Sequence, residues 1–327
     1  WAGGGQWTVR FAPPLVGEYR YRVQCTDKTN RDLNGSVQTL LVAPNRGPNP
    51  LLRHGFPRVG ADQRHFAHAD GTPFFWLGDT WWKGLSKRLT WEGFQELAAD
   101  RKAKGFTVVQ IVCGSYPDEA AFDPRWENEG GKPYVTRDYS EVNLAYFEYA
   151  DRRIRHLVDA GLVPAIVGSW GRSDCDGMKV TGVAGIKRHW RHLVARYGAY
   201  PTFWIVGGEV DDETITRSTA SARAKWGEGP WGEVGRYLRR VDPYRHPLTF
   251  HTTYGRRGLG GDEAVMDFDM VTGSHDGWNA ASPTSLSFLT DAAAKQPPMP
   301  VLSGETAYEG HMQNNLHDVQ RHVFWML

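Results

Sequence analysis

Phe74-Phe75-Trp76-Leu77-Gly78-Asp79-Thr80-Trp81-Trp82 is the stretch on which the fold turns. Its apolar half, residues 74–77, reads as a buried strand, and Gly-Asp-Thr-Trp-Trp follows it. A doubly wound open sheet would place a glycine-rich phosphate turn of the G-x-G-x-x-G type at this first strand-to-helix junction, and the stretch has no such character. Downstream, Thr90 caps a helix whose Trp91, Phe94, Leu97 and Ala98 form one stripe, stopped by Gly105. Residues 107–112 are a second apolar strand, and Asn143 opens a helix carrying Leu144, Phe147, Ile154 and Leu157, closed by Gly161. Further strands read at 163–167, 203–206, 248–251, 270–272 and 301–302, with helices striped by Trp190 and Leu193, by Val234 and Leu238, and by Val319 and Val323. Apolar strands alternating with amphipathic helices mean a parallel sheet covered by helices. Seven such units over about 250 residues match the size of a (β/α)₈ TIM barrel. No eighth unit is legible, and the chain stops in the apolar run Phe324-Trp325-Met326-Leu327, so the last barrel unit reads as truncated.

The beginning of the chain follows another pattern. Trp7-Thr8-Val9-Arg10-Phe11 and Tyr19-Arg20-Tyr21-Arg22-Val23 alternate with period two, and residues 37–42 are a third β-rich run. Three strands cannot build a core alone. Residues 1–43 therefore read as the last strands of a β-sandwich module, 44–50 as a Pro- and Asn-rich linker, and 51–327 as the barrel domain, incomplete at its C-terminus. The chain begins Trp1-Ala2-Gly3 without Met and reads as a piece of a longer protein, so no signal peptide is visible to interpret.

Composition removes several classes of function. The 38 Lys and Arg nearly cancel the 37 Asp and Glu, for a formal net charge of +1. That balance gives neither the basic footprint of nucleic-acid binding nor a polybasic membrane patch. No run of about 18 apolar residues marks a membrane span. Cys25, Cys113 and Cys175 permit at most one bridge and show no metal-ligand spacing. Aromatic residues make up 13% of the chain, with 14 Trp, and flat aromatic faces suit flat-faced ligands such as sugars.

Barrel enzymes carry their catalytic groups at the C-terminal ends of the strands. Those ends here are Asp79, Gln110, Trp170, Glu209, His251, His275 with Asp276, and Glu305. Two are glutamates behind glycine, in Gly207-Gly208-Glu209 and Ser303-Gly304-Glu305, where the glycines leave room for a ligand to approach the backbone. Strands four and seven face each other across an eight-stranded barrel. Two carboxyls reaching one cleft from opposite sides suit glycoside hydrolysis, in which one protonates the leaving oxygen and the other attacks the sugar carbon or activates water. Each glutamate alone reads as an ordinary surface carboxylate; the matched pair carries the hypothesis. His251 and His275 are expected to orient a glutamate or a substrate hydroxyl, with Asp79, Gln110 and Asp276 as further polar contacts. Trp81, Trp170 and Trp278 are candidates for stacking on a sugar ring, alongside Trp82. Neither a nucleophile elbow nor a metal-ligand pattern is present, so no cofactor and no metal are expected. A non-catalytic carbohydrate-binding barrel and a metal-dependent hydrolase using His251, His275 and Asp276 stand as alternatives.

These residues carry a family resemblance. The stretch 70–82, Pro201-Thr202-Phe203-Trp204-Ile205-Val206-Gly207-Gly208-Glu209 and Pro300-Val301-Leu302-Ser303-Gly304-Glu305 resemble the strand-one, strand-four and strand-seven motifs of the apiosidase-like glycoside hydrolases. The likeness runs from Asn49 to the C-terminus, and the upstream piece is similar to the small β-sandwich domain that often precedes this barrel. The resemblance implies a clan A-like glycosidase with a retaining mechanism, Glu209 as general acid/base and Glu305 as nucleophile. It also implies a complex-carbohydrate substrate and a periplasmic or secreted location. Apiosidase members tend to carry Asp where Glu209 stands, so apiose is not implied as the sugar.

Overall fold

The computed structural model describes residues 3, 5–171, 177–210, 229–252, 263–273, 275, 277–281, 283–311 and 316–326. Strand β1 (Gly17–Tyr21) pairs antiparallel with β2 (Gln38–Val42), Gly17 opposite Val42. Residues 7–11, expected as another strand, form none. They are held by side chains instead of a ladder: the Arg10 guanidinium binds Asp151 at 2.9 Å, and the Ala12 N–H donates to the Tyr244 hydroxyl at 2.9 Å. The linker ends in the short helix α1 (Pro50–Arg53), whose N-cap Asn49 accepts from the Leu51 N–H and donates to the Val158 carbonyl.

An antiparallel sheet of β3 (Arg58–Val59), β4 (Phe66–Ala67) and β5 (Pro73–Phe74) comes next. It plugs one end of the molecule. Phe66 packs edge-on against Phe203 and Phe268, at ring separations of 5.3 Å each, and both of those rings stand where later strands begin. The apolar run 74–77 is consequently split rather than continuous. Phe74 belongs to the plug, Phe75 is exposed, and the first barrel strand is β6 (Gly78–Thr80).

Five parallel strands then stand side by side in strict chain order: β6, β7 (Val108–Val112), β8 (Val163–Val167), β9 (Phe203–Ile205) and β10 (Leu248–Thr249). A doubly wound sheet reverses direction at a switch point; this order never reverses. Strands β11 (Asp269–Thr272) and β12 (Val301–Glu305) form a further parallel pair. Helices α2 (Trp91–Ala103), α3 (Leu144–Asp159), α4 (Gly177–Tyr197, broken at Gly182), α5 (Pro230–Val241), α6 (Pro283–Ala294) and α7 (His317–Met326) alternate with the strands. Thr90 and Asn143 cap α2 and α3 as their sequences require, accepting from the Gly93 and Ala145 N–H groups. The architecture is the (β/α) barrel, seven strands of it among the described residues.

Alternation along the strands makes two cores. Val108, Val112, Val163, Ala165, Val167, Phe203, Ile205 and Met270 fill the interior together with the plug's Phe66 and Phe74. Val109, Ile111, Ile166, Trp204 and Leu248 face outward against the helices, where they meet Phe94, Ile154, Trp190 and Leu238. Period-two alternation thus assigns the residues of β7, β8 and β9 their sides. Among the described residues no helix is long and apolar enough to cross a membrane.

The loop after β6 is fastened from α3. Arg153, 1% exposed, donates to the carbonyls of Gly84, Ser86 and Leu89 at 2.7–2.9 Å and pairs with Glu129. Removing a buried charged donor leaves those carbonyls unpartnered. Arg153→Met is expected to cost about 3 kcal/mol or more, read as a lower urea midpoint at unchanged slope. A loss below about 0.5 kcal/mol would show that the loop does not depend on this side chain.

Candidate active site

Strand β12 delivers Glu305 to the interior through an irregularity. Met270 pairs with Leu302 and Val271 with Ser303, but Thr272 pairs with Glu305, so Gly304 is an extra residue on β12. Met270 faces the interior core and Thr272, two residues on, faces the same way. Regular pairing would put Gly304 opposite Thr272 and turn Glu305 toward the helices. The bulge shifts the side-chain alternation by one and aims Glu305 inward, a known use of bulges beside active sites. Glycine is required at 304, because a Cβ there would collide with Met270.

Glu305 is only 8% exposed and surrounded by donors. His251 Nε2 lies 3.0 Å from one carboxylate oxygen, while the Tyr308 hydroxyl donates to the other and His275 Nε2 stands 3.5 Å from it. Burial pushes the Glu305 carboxyl up, but the contacts from His251, Tyr308 and His275 outweigh it, and the group is held below its ordinary 4.5. Tyr308 is driven the opposite way by burial and the adjacent carboxylate, so it remains a protonated donor. The Nδ1–H of His275 is committed to the Thr306 carbonyl at 2.8 Å, so its Nε2 donates toward Glu305 only as an imidazolium.

Glu209 is placed by glycines as well, for a reason different from ligand access. A Cβ at Gly208 would enter the Trp170 ring, and one at Gly207 would come within 2.7 Å of Trp231. The bare backbone lets the Trp170 indole lie flat on residue 208, with the two segments bridged in parallel, and its N–H reaches the Glu209 carboxylate at 2.6 Å. Glu209 itself adopts a left-handed backbone, φ 45°, a conformation that costs a non-glycine residue energy and is concentrated at functional positions.

Aromatic contacts join the two carboxylates. Trp82 packs edge-on against Trp170 at 5.1 Å and against His251 at 5.5 Å, and His251 lies 5.3 Å from Trp170. The Trp82 indole N–H donates at 2.8 Å to the Tyr308 hydroxyl, which in turn donates to Glu305. Glu209 and Glu305 therefore end one connected set of Trp170, Trp82, His251 and Tyr308. Tyr308 is the member that sequence reasoning misses, since a tyrosine three residues past a strand end has no pattern of its own.

Other expected site residues lie elsewhere. Asp79 is paired with Val109, an outward residue, so its carboxylate points away from the interior and binds the Trp81 indole and the Arg101 guanidinium of α2. Trp81 is buried edge-on against Phe94 in the outer core. The expectation placed both after the strand; Asp79 lies within it, and alternation decides its side. Gln110 faces inward and donates to the Gly304 carbonyl at 2.7 Å. Trp278 is exposed beside His322 of α7, 5.1 Å away. Asp276 and Cys175 lie outside the described residues. Cys25 and Cys113 are free thiols, and among the described residues no three His, Cys, Asp or Glu converge as a metal-ligand group.

Comparison with known proteins gives the chain's family and fold. A family model described as "Apiosidase-like, catalytic domain" matches residues 60–326. No curated protein sequence matches the chain. Among solved structures, a glycoside hydrolase family 5 protein from Bacteroides vulgatus is similar at a TM-score of 0.65 and 21% identity, covering 87% of this chain and 62% of that one. The endo-1,4-beta-mannanase of Rhizomucor miehei follows at 0.54 and 16% identity, covering 76% of this chain and 80% of that one. An exo-beta-1,4-mannosidase from an Opitutaceae bacterium gives 0.51 and 13%, covering 75% and 47%. These likenesses establish the shared α/β barrel fold. The chain spans less than two thirds of the length of the Bacteroides structure.

Two outcomes are expected from the site's construction. Gly208→Ala, a change that often stabilises elsewhere, should here cost about 1–3 kcal/mol because the Trp170 ring occupies the methyl's place; a gain in urea denaturation would contradict that packing. The lowered Glu305 carboxyl contributes stability that is complete above its unfolded value and is lost as pH falls through the folded one. Unfolding free energies of the parent and of Glu305→Gln, compared from pH 7 to pH 3, should therefore converge below about pH 4.5, and a constant difference would refute the shift.

Proposed function

The chain belongs to the apiosidase-like catalytic-domain family, and on that premise we propose that it is a glycoside hydrolase working by a retaining, two-carboxylate mechanism. Glu305 is the nucleophile and Glu209 the general acid/base. The observation that carries this division is the set of donors around Glu305. Glu305 sits among His251, Tyr308 and His275, a donor set that favours the ionised form, and its carboxyl is held down accordingly. A nucleophile must be ionised when the sugar arrives. Glu209 accepts the Trp170 indole N–H, which orients its carboxyl. A group that gives and regains a proton must be held in place for both transfers.

In the first step Glu305 attacks the anomeric carbon while Glu209 protonates the leaving oxygen, giving a glycosyl ester on Glu305. Glu209, now ionised, takes a proton from water, whose oxygen displaces Glu305 from the sugar. The Tyr308 and His251 contacts stabilise the Glu305 carboxylate before attack and again as it leaves the sugar, and they hold the ester's carbonyl oxygen in place between the steps. Trp82, half-buried, offers an apolar face beside Glu305 for the C–H face of a sugar ring, whereas Trp170, expected to stack on the sugar, is 2% exposed and committed to packing on Gly208. We take the substrate to be a side-chain glycoside of a complex polysaccharide, outside the cytoplasm, with residues 1–43 an accessory β module supported by the β1–β2 ladder.

The test is a screen of polysaccharides and aryl glycosides, followed by ¹H NMR of the first product. The expected product keeps the substrate's anomeric configuration. Glu209→Gln should lower kcat at least about 100-fold on substrates with poor leaving groups, and Glu305→Gln should stop turnover. An inverted product would reassign Glu305 as a base, and full activity in both variants would remove the pair from catalysis.

A further inference from the structure

We propose that Gln110 is a positioning residue for Glu305, acting across the barrel by holding the carbonyl of the bulged Gly304. The inference rests on the reading of Glu305 as the reacting carboxylate and adds the residue that sets its aim. Gln110 is the one polar member of β7, Val-Val-Gln-Ile-Val, in which the other four residues are fully buried and apolar. It pairs with Ala165 of the interior core, so its side chain enters the barrel, where it is 3% exposed. Its amide N–H meets the Gly304 carbonyl at 2.7 Å, linking positions 194 apart in sequence.

Gly304 is no ordinary acceptor. It is the extra residue of β12, and the extra residue of a bulge is left out of the regular ladder. Directly after it the strand resumes, with Thr272 opposite Glu305 and the Gly273 N–H donating to the Glu305 carbonyl at 2.7 Å. The chain at Gly304 and Glu305 is therefore held from two directions, by Gln110 from inside and by Gly273 along the sheet. An interior polar group is costly without a partner, so an apolar residue would be the simpler occupant of a strand like β7. The hydrogen bond explains the glutamine: it restrains the peptide plane whose rotation would carry Glu305 away from His251 and Tyr308.

The consequence is specific. Losing the Gln110 N–H should loosen the bulge and weaken the contacts from His251, His275 and Tyr308, the titratable groups facing Glu305. Its carboxyl then titrates closer to the ordinary range, and any turnover falls in kcat more than KM rises. The experiment is ¹³C NMR titration of the chain labelled at glutamate side chains, with Glu305→Gln identifying the signal. It compares the parent with Gln110→Met, which keeps the shape and removes the donor. An upward shift of at least about half a pH unit in the Glu305 titration, with unfolding still cooperative, is the expected result. A Glu305 titration in Gln110→Met within about 0.2 pH units of the parent, small against the ordinary spread of about 1 unit among carboxyls, would overturn the proposal whatever the rates do. Should Gln110→Met fail to fold, Gln110→Asn keeps an amide too short to reach Gly304 and carries the same criterion. Because the titration needs no substrate, a missing glycosidase activity would count against the functional reading and leave this test standing.

Discussion

Side chains alternate across a strand, and in a closed barrel that simple constraint decides which residues can react. Only every second position looks inward, and the interior positions of β7, β8 and β9 are already filled by Val108, Val112, Val163, Val167, Phe203 and Ile205. A carboxylate can enter this space only at the upper ends of the strands and only in the right phase. Glu305 meets the second condition through the extra residue Gly304, and Glu209 stands beyond the end of β9 on a left-handed backbone. Both candidate carboxylates sit where regular strand geometry is broken, and in both cases a glycine makes the break compatible with its neighbours.

The breaks are tolerable because aromatic side chains lock them. Trp170 lies on Gly208, Trp82 bridges Trp170 and Tyr308, and Tyr308 donates to Glu305. Indole and phenol donors are suited to such locking, because a large apolar body fills space while one N–H or O–H satisfies a specific acceptor. The result joins the two glutamates through aromatic rings, with Glu305 held toward its anion. Trp82 and Trp170 thus have a structural role at this site, independent of any sugar. At the opposite end, the plug of Phe66 and Phe74 closes the interior against Phe203 and Phe268.

Several features are legible from residues alone. Helix caps at Thr90 and Asn143, the alternation of apolar strands with striped helices, and the two Gly-Glu strand ends follow from local physical chemistry that acts over a few residues. Residue types alone misassign the role of the glycines, since steric relief for Trp170, Trp231 and Met270 involves rings and chains far away in sequence. Asp79 shows the same limit. Its position after an apolar run suggests a strand end, but Phe74 is drawn into the plug, the strand begins later, and Asp79 falls on the outward side facing Arg101.

Residue order alone determines the class of fold and nominates Glu209 and Glu305 as candidates, because periodicity and strand-end chemistry are local. The partners emerge only once the chain is folded: Tyr308 and His251 share Glu305, Trp170 serves Glu209, and Gln110 reaches Gly304 from another strand of the barrel. Register accounts for this division. A one-residue bulge reverses the facing of everything after it, and no pattern of residue types reports a register that depends on how two strands pair.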